Sequence, residues 1–256
     1  MAWWGCRLFT FANKTHILKQ MKVLILAGGI GSRLSEETIH TPKPLVEIGG
    51  KPIIWHIMRI YAYAGIKDFI ILVGYKGGVF FDKLSEYTED DWKVTILETG
   101  DGTLKAQRIK QAEKLVAGED FFVAYGDDLS DVNPIDVYNE HKSFPDRVVT
   151  LTAMPLESSY GILEINEHNA ITKFREKPRI DGYWINGGFF CFSSSIFKYL
   201  SNPELELEDD IFKVLAKENR IGAYKHKGFW KSMNTQKEKM EMEELVRTNE
   251  AKWIKW

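Results

Sequence analysis

The chain has 256 residues and a net charge of −2, with 44% hydrophobic and 27% charged residues. This composition can build a substantial core, and it argues against disorder and against a general nucleic-acid-binding surface, which needs excess basic residues. Two cysteines, Cys6 and Cys191, provide no disulfide framework, and the six histidines lack the spacing of zinc ligands. The few cysteines predict a cytoplasmic protein, and the near-neutral charge predicts that it binds no nucleic acid. Because no apolar run approaches the ~20 residues of a membrane helix, we also expect no membrane partner.

The first 20 residues differ from the rest of the chain. They contain one early apolar cluster followed by polar residues, and they lack the long apolar core and the cleavage site of a signal peptide. Met21 then opens an apolar segment that suits a first strand. We therefore predict a non-native or disordered extension over 1–20 and one domain over 21–256, with a functional extension as the alternative.

The first half of this domain alternates strand-like and helix-like segments. In chain order, the pattern predicts a strand at 22–27, a helix at 52–63, strands at 69–73 and 94–97, a helix at 103–116, a strand at 121–125 and a helix at 131–142. This order favours an α/β fold, with a Rossmann-like, mainly parallel mixed sheet and helices on both faces. Ligands bind such sheets at the carboxyl ends of the strands.

The second half is richer in strands. Strands are predicted at 148–153, 161–166, 170–174 and 184–192, with a hairpin turn at 167–169, and helices follow at 207–218 and 235–248. We interpret this region as a β-rich extension of the same sheet.

A glycine-rich turn, LAGGIGSRL at residues 26–34, follows the first strand. Glycines let backbone N–H groups approach a phosphate chain, and Arg33 can neutralise phosphate oxygens. The turn lacks the Gly-Lys-Ser/Thr ending of a Walker loop, and Leu34 stands where the dinucleotide fingerprint of an oxidoreductase needs glycine. A plain strand-to-helix turn is the structural alternative.

A lysine framed by two prolines follows at Pro42-Lys43-Pro44. Because proline restricts its own backbone and that of the preceding residue, Lys43 has a defined position near the glycine turn. It could reach a triphosphate there; a solvated surface charge is the alternative.

Together these segments resemble the sugar-phosphate nucleotidylyltransferases. The resemblance is carried by GGIGSRLSEET at 28–38 and PKPLVEIGGKPI at 42–53, and it runs from Met21 to near Trp256. WHIM at 55–58 and GYKG at 74–77 are similar to the glucose-1-phosphate cytidylyltransferases in particular. The resemblance implies an enzyme that transfers a nucleotidyl group from an NTP, here CTP, to a sugar 1-phosphate, here glucose 1-phosphate, with Mg²⁺ as cofactor and pyrophosphate as second product.

The resemblance also implies roles for individual residues. Arg33, Lys43, Asp127 and Lys177 would be catalytic, and Asp127 would bind the metal at a strand end. Nucleotide contacts are implied for Leu26, Ala27, Gly28, Gly29, Gly31, Ser32, Arg33, Lys43, Thr99, Arg108 and Gly126. Sugar-phosphate contacts are implied for Tyr160, Gly161, Glu176, Lys177, Asn186 and Gly187.

The sequence departs from that family at several positions. Asn234 stands where a second metal-binding aspartate is usual, so we expect weaker metal binding, with Asp128 as a possible further ligand. The loop at 102–108 departs from the family pattern, although it retains Arg108, and the segment between Tyr75 and Thr99 is short. A binding homologue without turnover, and an enzyme for another base or acceptor, are therefore alternatives; homo-oligomer formation also stays open.

Overall fold

A mixed β-sheet forms the centre of the computed structural model, which describes residues 20–29, 41–116 and 118–256. The predicted extension, apart from Gln20, and Gly31, Ser32 and Arg33 lie outside the described residues. The strands are β1 (Lys22–Ala27), β2 (Glu47–Ile48), β3 (Lys51–Pro52), β4 (Asp68–Val73), β5 (Lys93–Glu98), β6 (Phe121–Tyr125), β7 (Asp128–Ser130), β8 (Val149–Glu157), β9 (Ile162–Ile165), β10 (Ile171–Arg175), β11 (Arg179–Phe192), β12 (Ile221–Lys225) and β13 (Trp230–Ser232).

The main sheet has the strand order β12-β8-β11-β6-β1-β4-β5. Strands β6, β1, β4 and β5 run parallel to one another, β12 runs parallel to β8, and β11 runs antiparallel to both β6 and β8. The β9–β10 hairpin and the pairs β7–β13 and β2–β3 are small separate sheets. This architecture confirms the predicted mainly parallel mixed sheet with a β-rich second half.

Helices cover both faces of the sheet. They are α1 (Ile53–Tyr63), α2 (Gly78–Lys83), α3 (Lys105–Gln111), α4 (Glu113–Val116), α5 (Pro134–Lys142), α6 (Lys213–Lys217) and α7 (Gln236–Arg247), with 3-10 turns at Lys43–Leu45, Leu84–Tyr87 and Ser194–Lys198 and a π-helical turn at Leu207–Phe212. Among the described residues, no helix combines the length and apolar character needed to cross a membrane.

Alternation along β1 separates two hydrophobic cores. Val23 and Ile25 pack with buried residues of α1 on one face, whereas Leu24 packs with residues of α3 on the other. Side chains of a strand point alternately to opposite faces, so an uninterrupted apolar strand is stable only when both faces are covered. The sheet is therefore accessible mainly at its strand ends.

Several helix boundaries differ from those predicted from the pattern. The segment predicted as one helix over 103–116 breaks at Ala112 into α3 and α4. Helix α5 begins at Pro134, after Asn133 caps it by accepting a hydrogen bond of 3.2 Å from Ile135 N. Strands β12 and β13 were not predicted, because each is short and only partly buried.

Two histidines are buried in this fold. Burial lowers the pKa of His56 from 6.5 to about 4, against an opposing hydrogen bond to Ile48 O. Burial likewise lowers the pKa of His141 to about 4, and its ring contacts Thr150 Oγ1 at 3.0 Å. Both side chains therefore favour the neutral form in the folded chain.

We predict that the free energy of unfolding decreases as the pH falls from about 6.5 towards about 4, where unfolded but not folded chains take up these protons. Each histidine contributes at most about 1.4 kcal/mol per pH unit. Urea denaturation at pH 7 and pH 5 should show this decrease, and His141→Gln should reduce it. The exposed His168→Gln variant is the control; equal pH dependence in the parent and His141→Gln would contradict the assignment.

Candidate active site

A cleft of about 440 Å³ lies at the carboxyl ends of β1 and β6. The residues that line it come from the ends of these strands, from the turn at Pro42-Lys43-Pro44, from the start of α3 and the loop before it, and from the chain after β13. They are Leu26, Ala27, Gly28, Gly29, Lys43, Pro44, Gly102, Thr103, Lys105, Arg108, Tyr125, Gly126, Asp127 and Asn234. The cleft thus brings together most of the nucleotide-side residues predicted from the sequence.

Lys43 occupies the centre of the polar part of this cleft. Its ammonium forms an ion pair with Asp127 and donates a hydrogen bond of 3.0 Å to Asn234 Oδ1. The side chains of Lys43 and Asp127 are only 12% and 27% exposed, so solvent screens this pair less than an ordinary surface pair. Two acceptors that are far apart in sequence therefore converge on one lysine.

Local structure fixes both acceptors. Met233 N donates to Asp127 O at 2.9 Å, which joins the end of β6 to the chain after β13. Asn234 Nδ2 donates to Ser232 Oγ at 2.8 Å, and Asn234 N donates to Glu238 Oε2 at 2.8 Å. The amide oxygen of Asn234 is therefore oriented towards Lys43.

These oxygens fit a magnesium ion by their chemistry. Mg²⁺ prefers oxygen ligands and usually binds one or two protein carboxylates together with substrate phosphates and water. Asp127 and Asn234 offer one carboxylate and one amide oxygen within reach of the same ammonium. Among the described residues, no group of three or more His, Cys, Asp or Glu side chains could hold a metal.

Asp128, the possible further ligand, lies behind the cleft. Its side chain is buried against Gly188, whose φ is +75°; a Cβ added at Gly188 would fall 2.0 Å from Asp128 Oδ2. Burial, and then the neighbouring charge of Asp127, raise the pKa of Asp128 well above its usual range. Asp128 is not among the residues that line the cleft, whereas Asp127 is.

Arg108 lies beneath the glycine turn and cross-links the strand ends. Its guanidinium donates to Gly28 O at 3.0 Å, to Val73 O at 3.2 Å and to Thr99 Oγ1. A Cβ added at Gly28 would lie 2.2 Å from Arg108 Nη1, so glycine is required for this approach. Burial lowers the pKa of Arg108, with Asp101 opposing that shift. Thr99 is itself buried.

The predicted sugar-side residues fall into two groups. Tyr160, Gly161, Glu176 and Lys177 belong to the β9–β10 hairpin and its flanking turns, outside the cleft lining, and Tyr160 is 79% exposed. Asn186 and Gly187 lie on β11 beside the cleft: Asn186 Nδ2 donates to Tyr125 Oη at 3.2 Å, and Gly187 O accepts from Trp230 Nε1 at 2.8 Å.

Lys177 is close to the helix that follows Asn234. The pKa of Glu241 on α7 is lowered mainly by a hydrogen bond from Lys231, and Lys177 also contributes. Lys177 adopts a left-handed backbone with φ of +43°. Lys177 is not among the residues that line the cleft.

Sequence reasoning missed five residues of the cleft lining, Pro44, Gly102, Thr103, Lys105 and Tyr125, of which Lys105 and Tyr125 contact each other. Lys105 is the first residue of α3, and its ammonium lies over the Tyr125 ring, 4.7 Å from the centroid. A signal was available, because Lys105 lies within residues 102–108, where the sequence departs from the family pattern. Tyr125 ends the strand before the predicted metal ligand.

The fold and the site define a nucleotide-handling α/β protein, and comparison with known proteins agrees. The chain belongs to the nucleotidyl transferase family, whose model matches residues 22–247. It is 39% identical to the glucose-1-phosphate cytidylyltransferases of Salmonella typhi and Salmonella typhimurium, covering 92% of this chain and 100% of each relative. It also shares its fold with HddC from Yersinia pseudotuberculosis, with a TM-score of 0.68 at 24% identity over 89% of this chain and 100% of that one.

We predict that Arg108→Lys destabilises the protein by about 2–4 kcal/mol, because an ammonium holds its donors at one point and lacks the fork by which the guanidinium reaches acceptors on three strand ends. The free energy of unfolding, measured by urea denaturation, checks this expectation. The exposed Arg247→Lys variant, at a surface pair with Glu244, should change stability little. Equal stability of both variants would show that the Arg108 cross-link contributes nothing.

Proposed function

We propose that this chain transfers a cytidylyl group from CTP to glucose 1-phosphate, giving CDP-glucose and pyrophosphate. The observation that carries the proposal is that Asp127 and Asn234 both contact Lys43 in the cleft at the carboxyl end of β1, where Gly28 and Gly29 lie. The full-length similarity to two glucose-1-phosphate cytidylyltransferases supports the choice of both substrates.

The acceptor needs no general base. A sugar 1-phosphate has a second pKa of about 6, as in phosphoserine, so it is mostly a dianion at neutral pH and is already a nucleophile. The difficulty is that two polyanions must meet in line. The protein must therefore supply positive charge and alignment, which are the main catalytic contributions in phosphoryl-group chemistry.

Lys43 is the residue we assign to the triphosphate. An ammonium has three donors, and two of them contact Asp127 and Asn234, which leaves one for a phosphate oxygen. Gly28 and Gly29 line the same cleft, and glycine backbone N–H groups can bind phosphate oxygens. Arg33 keeps the triphosphate role implied by its sequence motif.

Asp127 and Asn234 are the residues that would hold Mg²⁺, which supplies Lewis-acid charge to the phosphate oxygens. In the reaction, an oxygen of the sugar phosphate forms a bond to the α-phosphorus of CTP. The bond from that phosphorus to the bridging oxygen of the β-phosphate breaks, and pyrophosphate leaves without a covalent enzyme intermediate. We assign Lys177 and Glu176 to the sugar phosphate and Asn186 to the sugar, as the resemblance implies.

A second candidate is a nucleotide-sugar-binding homologue with little turnover. Asn234 favours it, because a neutral amide contributes no charge to a metal site. The guanidinium of Arg108 already donates to three protein acceptors. These hydrogen bonds give no reason to assign Arg108 to cytosine, so the choice of base stays open.

The direct test is pyrophosphate release from CTP and glucose 1-phosphate with Mg²⁺. We expect turnover by the parent and a decrease in kcat/KM of about 10²–10³-fold in Asp127→Asn, because the charge that anchors both the metal and Lys43 is lost. Asp91→Asn, at an exposed pair with Lys67, is the matched control and should keep parental activity.

The outcomes separate the two candidates. Absence of turnover with CTP, UTP, ATP or GTP across sugar 1-phosphates would contradict the enzymatic proposal. If the parent binds CTP without forming product and Asn234→Asp forms it, the binding homologue is favoured instead.

A further inference from the structure

A hydrogen-bonded network borders the cleft beside the residues assigned above. Glu208 Oε1 accepts from the Lys105 ammonium and from the Tyr125 hydroxyl. Tyr125 Oη also accepts from Asn186 Nδ2 at 3.2 Å, and Asn186 Oδ1 accepts from Gly188 N at 3.0 Å. The network therefore links the start of α3, the π-helical turn, the end of β6 and strand β11.

Two members of this network face a ligand-sized space. Lys105 and Tyr125 line the cleft. Glu208 is not itself in the cleft lining, but its side chain is 33% exposed and is paired with that of Lys105, which is 44% exposed. Asn186 connects the same network to the strand that the resemblance assigns to the sugar.

The Lys105–Glu208 pair has both a hydrogen-bond donor and a hydrogen-bond acceptor that are not used within the pair. Within the described chain, Glu208 Oε2 carries no hydrogen bond to protein, while Oε1 accepts two. Lys105 has further N–H donors beyond the one given to Glu208. A free acceptor beside a free donor matches a hydroxyl group, which can donate and accept at the same time.

The charges of the pair argue against a phosphate as its ligand. Lys105 and Glu208 cancel one another, as Lys43 and Asp127 do, but no divalent cation is assigned to Glu208 to offset its carboxylate. A phosphate bound by Lys105 would also approach the Glu208 carboxylate, and like charges repel at that distance. Burial, followed by the charge of Glu208, raises the pKa of Tyr125, so its hydroxyl stays a neutral donor that keeps Glu208 in place.

We propose that the Lys105–Glu208 pair recognises a hydroxyl group of a sugar ring bound in the cleft and so determines substrate specificity. The inference rests on the function proposed above. Two rings could supply this hydroxyl, the ribose of the nucleotide and the hexose of the acceptor. A site built to bond a hydroxyl rejects the analogue that lacks it, because its own polar groups are then left unpaired.

The test compares hydroxylated and deoxy substrates in the full chain. One arm uses CTP against 2′-deoxy-CTP and 3′-deoxy-CTP; the other uses glucose 1-phosphate against its 2-, 3-, 4- and 6-deoxy analogues. Lys105→Met and Glu208→Leu remove each partner while keeping similar side-chain volume, and Glu208→Ala replaces Glu208→Leu should the latter fail to fold. Lys110→Met is the matched control, because Lys110 lies on the same helix and pairs with Glu113 at 2.7 Å.

We expect the parent to prefer one hydroxylated substrate over its deoxy analogue by at least about 100-fold in kcat/KM. Lys105→Met and Glu208→Leu should reduce that preference to within about threefold, while Lys110→Met should keep it. If the variants lose the preference for CTP over a deoxy-CTP, the recognised hydroxyl belongs to the ribose. If they lose the preference for glucose 1-phosphate over a deoxy analogue, it belongs to the hexose. Unchanged preferences in both arms, whatever the change in stability, would overturn the proposal.

This design distinguishes two kinds of failure. If the parent forms no product, the proposed function fails, and the same comparison is made from Kd values measured by titration calorimetry with each compound. The hydroxyl assignment still predicts weaker binding of one deoxy analogue to the parent and equal binding of both forms to Lys105→Met. If the parent binds every deoxy analogue as tightly as the hydroxylated compound, the hydroxyl assignment is overturned.

Discussion

The shared contact of Lys43 with Asp127 and Asn234 is the interaction on which the site depends. It joins the proline-framed turn, the end of β6 and the chain after β13 at one point. The pairing of β7 with β13 and the hydrogen bond from Met233 N to Asp127 O fix the spacing of the two acceptors. A single ammonium can therefore neutralise the acid in the free protein and still offer a donor to an incoming phosphate.

The three basic side chains that line the cleft, Lys43, Lys105 and Arg108, have different roles because each contacts different protein groups. Arg108 bonds to groups at the ends of three adjacent strands, which makes the floor beneath the glycine turn rigid. Lys43 pairs with a carboxylate and an amide that can exchange partners when a ligand binds. Lys105 pairs with a carboxylate to which no divalent cation is assigned, so a phosphate bound by Lys105 would meet the uncompensated charge of Glu208. A basic residue in a phosphate-handling cleft is thus not always a phosphate ligand, and its partners decide its role.

Much of the fold could be predicted from local patterns, and less of the site could. The bounds of β1 and β6 agree with the predicted strands because both are short apolar runs covered on two faces. The prolines around Lys43 predicted a defined position, which the 3-10 turn provides. The Lys105–Glu208 pair could not be predicted, because 103 residues separate its members and only the packing of α3 beside the π-helical turn brings them together. The exposure of Tyr160 likewise depends on where the β9–β10 hairpin projects.

The most direct measurement of the central claim is the affinity of Lys43→Met for CTP in the presence of Mg²⁺, by titration calorimetry. Lys252→Met, at an exposed position, serves as the control. Loss of a charge-assisted hydrogen bond to phosphate predicts binding about 10- to 100-fold weaker than in the parent, with the fold intact. Parental affinity in a folded Lys43→Met protein would contradict the account.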